Sequence, residues 1–257
     1  MCIRDSPMGM IPMLEAARSV ALILSGRADE ASEAYSVLTP EYATKHRRAA
    51  HWRAWADAWM AGQHDPPTGA KLAAEKGAWS GDNGMDFWSW DLLHTAVRLG
   101  HPELVVEDLA AAALRSPAPL VQLFARHAQA GVDNDEQALI AVANEFAEIG
   151  AWACSAEAWA SVALASSNAA QAGRYHVKGT QEQRKCSGIV TPLLLALNSP
   201  LSDNESEVAA LAATGMPSKA IAEQRFVSTR TVDNQLRAVY KKLELAGRAE
   251  LPLIFST

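Results

Sequence analysis

From Met13 to about Asn198 the chain is rich in alanine, poor in β-branched clusters, and carries its apolar residues at spacings of three and four. That periodicity puts one apolar stripe on a helix face in each segment, the signature of an amphipathic helix and not of a half-buried strand. An all-α fold follows. Hydrophobic residues make up 49% of the 257 and charged residues 20%, enough apolar material for one large or two modest cores.

Glycines punctuate this stretch at Gly26, Gly62, Gly100 and Gly131, with gaps of 36, 38 and 31 residues. The gaps lie near the roughly 34-residue period of tetratricopeptide helix hairpins. Val105, Leu109, Ala112 and Pro117 stand 5, 9, 12 and 17 residues after Gly100, and Ala31, Tyr35 and Leu38 take the first three of those offsets from Gly26. "GAWACSAEAWASV" fits in part, through Trp159, and "GQHDPPTGAKLAA" fits poorly. The expectation for residues 13–198 is therefore an irregular tetratricopeptide-like helical-hairpin array, with an irregular helical bundle as the alternative. Trp52, Trp55 and Trp59 form an i, i+3, i+7 stripe, expected to pack in the core rather than line a ligand groove. Segment 79–93 is expected to be a long loop, with Asp86 capping the helix that follows.

Little in the chain speaks for catalysis. It has no G-x-x-x-x-G-K-[ST] phosphate loop, no H-E-x-x-H pair and no G-x-S-x-G elbow. The seven histidines are scattered and expected to be ordinary surface and boundary residues, and Cys2, Cys154 and Cys186 form no CxxC pair. The expectation is no enzyme activity, no metal and no cofactor. An odd cysteine count suits reduced thiols in a cytoplasm, and no apolar run approaches the ~20 residues of a membrane span. The opening "MCIRDSPMGMIPM" lacks the continuous apolar stretch of a signal peptide. It resembles translated library-adapter sequence, so residues 1–12 are expected to be non-native or disordered, and the chain a fragment of something longer.

The net charge of −6 argues against wholesale attraction to nucleic acid, but the charge is unevenly spread. Between Lys219 and Arg248, seven Lys/Arg stand against three acids. The same region holds the densest helix signals. "LSDNESEVAALAATG" opens with Ser202 and Glu205 at capping-box spacing and closes on Gly215 as a helix stop. Ser218 is expected to cap a second short helix with Ile221 and Ala222 inward. Ser228 is expected to cap a third, with Val227 and Val232 as a hydrophobic staple. In that third helix Val232, Leu236, Val239 and Leu243 share one face, while Arg230, Asn234, Arg237 and Lys241 take the same steps about 200° away. Burying the apolar set contributes about 1.5–3 kcal/mol per large side chain and turns the polar stripe outward. Arg suits guanine, Asn suits adenine, and the flanking Asp233 accepts from cytosine, so the stripe is able to read base edges in a major groove. A solvated face is the plainer alternative. The capped helix, short turn and second capped helix favour DNA reading.

The same residues resemble a known family. Residues 201–251 are similar, without a gap, to the LuxR-type helix-turn-helix domain. The similarity is carried by Glu205, Glu207, Val208, Gly215, Ile221, Ala222, Ser228, Thr231, Val232, Leu236, Tyr240, Lys242, Leu243 and Arg248. Asn204 and Gln235 stand where the family usually has Arg and His, both off the base-reading stripe. The resemblance implies a small four-helix domain over residues 199–257 whose third helix, about Thr229 to Glu244, enters the major groove. It implies base reading by Asp233, Asn234 and Arg237, and phosphate contacts from Lys219, Arg230, Thr231 and Lys241. A fourth helix, Arg248 to about Phe255, serves dimerisation in relatives and is shortened here by Pro252.

An alanine-rich array before such a domain further resembles the C-terminal portion of large actinobacterial LuxR-family regulators, whose AAA-type ATPase domain has no counterpart in this sequence. The expected function is sequence-specific transcriptional regulation, with double-stranded DNA as partner, a homodimer on DNA, and RNA polymerase as a further candidate partner. No membrane is involved in that reading, and the array serves as a sensor or oligomerisation module. The alternative is a protein-interaction scaffold that docks through its terminal domain.

Overall fold

The computed structural model describes residues 10–37, 47–196 and 200–255, and among them it forms fifteen α-helices and no strand. Eleven helices come first: α1 (Met10–Leu24), α2 (Ala28–Tyr35), α3 (Arg47–His64), α4 (Pro66–Asp82), α5 (Asp86–Arg98), α6 (Val106–Arg115), α7 (Pro119–Asp133), α8 (Glu136–Glu148), α9 (Trp152–Ala165), α10 (Ala169–Lys185) and α11 (Pro192–Leu195). Four more follow residue 200: α12 (Asp203–Ala213), α13 (Ser218–Gln224), α14 (Thr229–Lys242) and α15 (Leu251–Phe255). No helix among the described residues is long and apolar enough to cross a membrane.

Helix starts follow local chemistry. Asp135 accepts from the amides of Gln137 and Ala138 at 3.0 and 3.1 Å, and Asn168 accepts from Gln171 at 2.9 Å, each satisfying an orphan donor. Consecutive helices pack together, most extensively α3 on α4, α4 on α5, α8 on α9 and α9 on α10. The glycine series divides into two kinds. Gly26 and Gly100 take left-handed φ of 71° and 90° just past α1 and α5. Gly62 and Gly131 instead lie inside α3 and α7 and end nothing. Gly62 serves close approach: a Cβ built on Gly69 would stand 2.5 Å from the Gly62 Cα and from the Ala58 carbonyl.

Segment 79–93 is not a long loop. α4 continues to Asp82, only Asn83, Gly84 and Met85 intervene, and α5 begins at Asp86. Met85 is the N-cap, and no side-chain cap bond forms. The turn is tight because the two helices are pinned side by side. The Ser89 hydroxyl donates to the Gly77 carbonyl at 2.8 Å, and Gly77 leaves room for Leu93. At the N-terminus, residues 1–9 lie outside the described residues, whereas residues 10–12 already belong to α1. Pro12 is tolerated there because first-turn amides lack an intrahelical acceptor.

Two hydrophobic clusters organise the molecule. The first runs from α1 to α9. Trp59 is buried in it, and Trp52 and Trp55 pack partly buried against it, so the tryptophan stripe is core. Its interior also holds charge: Arg98 Nε donates to Glu157 Oε2 at 2.7 Å and Nη2 to Oε1 at 3.1 Å, with the guanidinium 4.8 Å over the Trp59 ring. Burial drives the Glu157 carboxyl above its ordinary value against the opposing pull of Arg98.

Three histidines overturn the expectation of surface and boundary residues. His51, His94 and His127 are 1%, 2% and 1% exposed. His94 Nε2 lies 3.0 Å from His127 Nδ1, and the His94 ring stacks on Phe124 at 3.8 Å. Burial holds His51 and His127 down at about 4 and His94 well below the ordinary value, so all three are neutral near pH 7. His46 lies outside the described residues.

Candidate nucleic-acid interface

The second cluster is built by α12 to α15, with Val208, Ile221, Val232, Leu236, Val239, Leu243 and Leu251 at its centre, and Val177 of α10 joins it. Ser202 and Glu205 form the capping box at the start of α12: Glu205 N donates to Ser202 Oγ at 3.3 Å and Ser202 N to Glu205 Oε2 at 2.8 Å. Lys242, at the end of α14, donates to the same Oε2 at 2.6 Å. Burial alone would raise the Glu205 carboxyl, but Lys242 and the Ser202 groups outweigh it and hold the carboxyl below its ordinary value. One carboxylate thus caps the first helix of the domain and ties down the third.

Gly215 stops α12 at φ 88°, as its position predicts. The next start differs from expectation. Pro217 is the N-cap of α13, and Ser218 is its first helical residue, without a side-chain cap bond. Its hydroxyl accepts from Arg248 Nη1 at 3.4 Å instead. The turn into α14 passes through Phe226 at φ 55°, and Ser228 then caps α14 by accepting from Thr231 N at 3.0 Å. Of the expected staple, Val232 is fully buried, while Val227 remains 41% exposed.

The two faces of α14 separate as the periodicity predicts. Val232, Leu236, Val239 and Leu243 are all buried, and Arg230, Asn234, Arg237 and Lys241 are all exposed. Asp233 flanks the outer stripe, partly exposed. Arg237 Nη1 donates to Asn234 Oδ1 at 3.2 Å, so these two side chains stand together. Thr231 lies at the exposed start of the helix with its hydroxyl 2.8 Å from that of Ser228, and Lys219 is exposed on α13.

Pairing sorts the seven basic residues of this region into two sets. Arg225 pairs with Glu207 and donates to Asn204 Oδ1, Lys242 pairs with Glu205, and Arg248 donates to the Met216 carbonyl. These three hold the domain together. Among the described residues no ion pair ties Lys219, Arg230, Arg237 or Lys241. Four uncompensated cations on exposed positions make a positive patch on an otherwise acidic chain.

One participant gave no sequence signal. Arg174, on α10, donates from Nε to the Leu243 carbonyl at 2.7 Å and from Nη2 to the Glu244 carbonyl at 2.6 Å. It thereby binds acceptors at the C-terminus of α14, where helix carbonyls lack intrahelical partners. No group of three His, Cys, Asp or Glu among the described residues is arranged to hold a metal ion.

Three short helices around one apolar core, with a tight turn leading into an outward basic helix, define a helix-turn-helix domain. Residues 199–255 match the model of the family described as bacterial regulatory proteins, luxR family, and the domain is of the LuxR type. No curated protein and no solved structure matches the chain.

Proposed function

We propose that this chain is a sequence-specific transcriptional regulator that inserts α14 into the DNA major groove. The observation that carries the reading is the outward stripe of α14, whose cations are free of ion pairs while its apolar face is buried. In this reading Asp233, Asn234 and Arg237 read base edges, and Lys219, Arg230, Thr231 and Lys241 bind phosphates and set register. Residues 13–198 act as a sensor or oligomerisation array and residues 199–257 as the reader. Two copies on DNA would address half-sites roughly one helical turn apart, and RNA polymerase is a further partner for such a complex. The order of array and reader also supports a relationship to larger regulators with an ATPase domain ahead of the array, which the upstream genomic reading frame tests.

In-vitro selection of bound DNA tests the central claim. The full chain should enrich one motif, and Asn234→Ala combined with Arg237→Ala should abolish that preference while leaving salt-sensitive nonspecific binding. Unchanged preference in the double variant would refute the assigned stripe, and DNA-independent, salt-insensitive capture of a protein partner would favour the scaffold reading.

A further inference from the structure

The turn between α13 and α14 carries a residue that the fold does not reward. Phe226 N donates to the Glu223 carbonyl at 3.4 Å and Val227 N to the Ala222 carbonyl at 3.0 Å, the paired bonds that close a helix on a left-handed residue. The same pair of bonds closes α1, α5 and α8, and there the left-handed residue is Gly26, Gly100 or Gly150. Glycine suits the place because it has no Cβ to crowd the carbonyl. Phe226 occupies it at φ 55°, a conformation that bulky side chains rarely adopt. Its ring brings no compensation within the chain: it is 96% exposed and belongs to neither hydrophobic cluster. Strain and a bare aromatic ring at one position point to a partner outside the chain.

The surroundings say which partner. Residues 226–231 are all exposed and run directly into the outward stripe of α14. They present the Phe226 ring, part of Val227, the hydroxyl-bearing Ser228, Thr229 and Thr231, and the Arg230 guanidinium, with no carboxylate among them. Arg225, just before, is already paired with Glu207. A DNA backbone alternates phosphate, which cations and hydroxyls bind, with deoxyribose, whose carbons offer an apolar face. One ligand thereby serves Phe226 and Arg230 together.

We propose that Phe226 is a positioning residue for DNA, its ring laid on deoxyribose of the strand whose phosphates Arg230 and Thr231 bind. This rests on the reading that α14 enters the major groove. Sugar carries no sequence information, so the contact adds affinity on any duplex. Fluorescence anisotropy of the full chain tests it, on a selected duplex and on a random-sequence duplex, between about 50 and 200 mM salt. Phe226→Asn removes the ring and suits the left-handed backbone. It should leave Tm equal or higher and weaken binding roughly tenfold on both duplexes. The slope of log affinity against log salt should stay as it was, because no cation is lost. Phe226→Tyr keeps the ring at the same backbone angle and should retain most of the affinity. Undiminished affinity in Phe226→Asn, while the unaltered chain binds DNA, would overturn this contact alone and leave the role of α14 standing. A loss confined to the selected duplex, a lowered Tm, or an equal loss in Phe226→Tyr would also overturn it. So would intact DNA binding with loss of a protein partner. An unaltered chain that binds neither duplex would overturn this contact and the major-groove reading together.

Discussion

Arg174 grips the backbone of Leu243, donating to its carbonyl at 2.7 Å across 69 residues of sequence. A second donation, to Glu244, completes a forked hold on the end of the helix that carries the exposed stripe of Arg230, Asn234, Arg237 and Lys241. Cations at a helix C-terminus meet the negative end of its dipole, and hydrogen bonds from charged donors are stronger than neutral ones. Arg174→Ala should therefore loosen the last turn of α14 by about 1–2 kcal/mol. Hydrogen exchange at the Leu243 and Leu245 amides should accelerate about tenfold or more, with Arg174→Lys recovering part of the protection. Unchanged exchange would show that the contact does not hold the helix end.

The sorting of cations yields a contrast in salt dependence. Alanine at Lys219, Arg230 or Lys241 should each lower the slope of log affinity against log salt by about 0.9. Alanine at Arg225 or Lys242, whose charges are paired within the domain, should leave the slope nearly unchanged and lower stability modestly. Fluorescence anisotropy on a selected DNA duplex between 50 and 200 mM salt, a window of about this width being informative, checks both.

Glu157→Ala strips the partner from a buried guanidinium. The expected loss is about 3–5 kcal/mol, because Arg98 loses its hydrogen-bonded counter-charge in the interior and keeps only the more distant Asp91. Arg98→Met in the same chain should restore part of that loss. Urea unfolding midpoints of the two variants decide it.

Acid should weaken the array before it weakens the cap of α12. His51 and His127 titrate near 4 when folded and near 6.5 in the unfolded chain, and His94 is also depressed. The unfolded state therefore binds more protons between those values, so this contribution is complete above pH 6.5 and declines as the pH falls towards 4. Each histidine adds a slope of up to about 1.4 kcal/mol per pH unit. Glu205, whose folded value is lowered, loses its contribution only as pH drops below its ordinary 4.5. The raised carboxyls of Asp91 and Glu157 act in the opposite sense, so the readout is differential. Replacing His51 by Phe should flatten the stability profile measured by urea unfolding at pH 7, 6 and 5.

What the sequence made legible was local. Ser202 with Glu205, Gly215, Ser228 and the two faces of α14 are all encoded within a few residues, where spacing alone dictates which groups can meet. All-helical character was equally plain from periodicity. Segment 79–93 misled because turn-forming residues sit inside the α4–α5 hairpin, where contacts such as Ser89 to Gly77 override local preference. Gly62 and Gly131 misled likewise: one glycine can end a helix or let two helices touch, and only the packing distinguishes them. Arg174 with Leu243, and His94 with His127, depend on segments that come together only in three dimensions. No periodicity announces such pairs.

Val177 gives α10 a double allegiance, since this helix packs along α9 while its valine sits in the apolar centre of the helix-turn-helix domain. Gly173, one turn earlier, keeps the surface low enough for Leu243 and Pro200, which a methyl group would meet at 3.2 and 3.3 Å. Severing the chain at residue 198 would thus cut through shared masonry and not along a seam. A transplanted helix-turn-helix domain would arrive with a bare flank unless its new host supplied a helix equally slim at one position and aliphatic at the next turn.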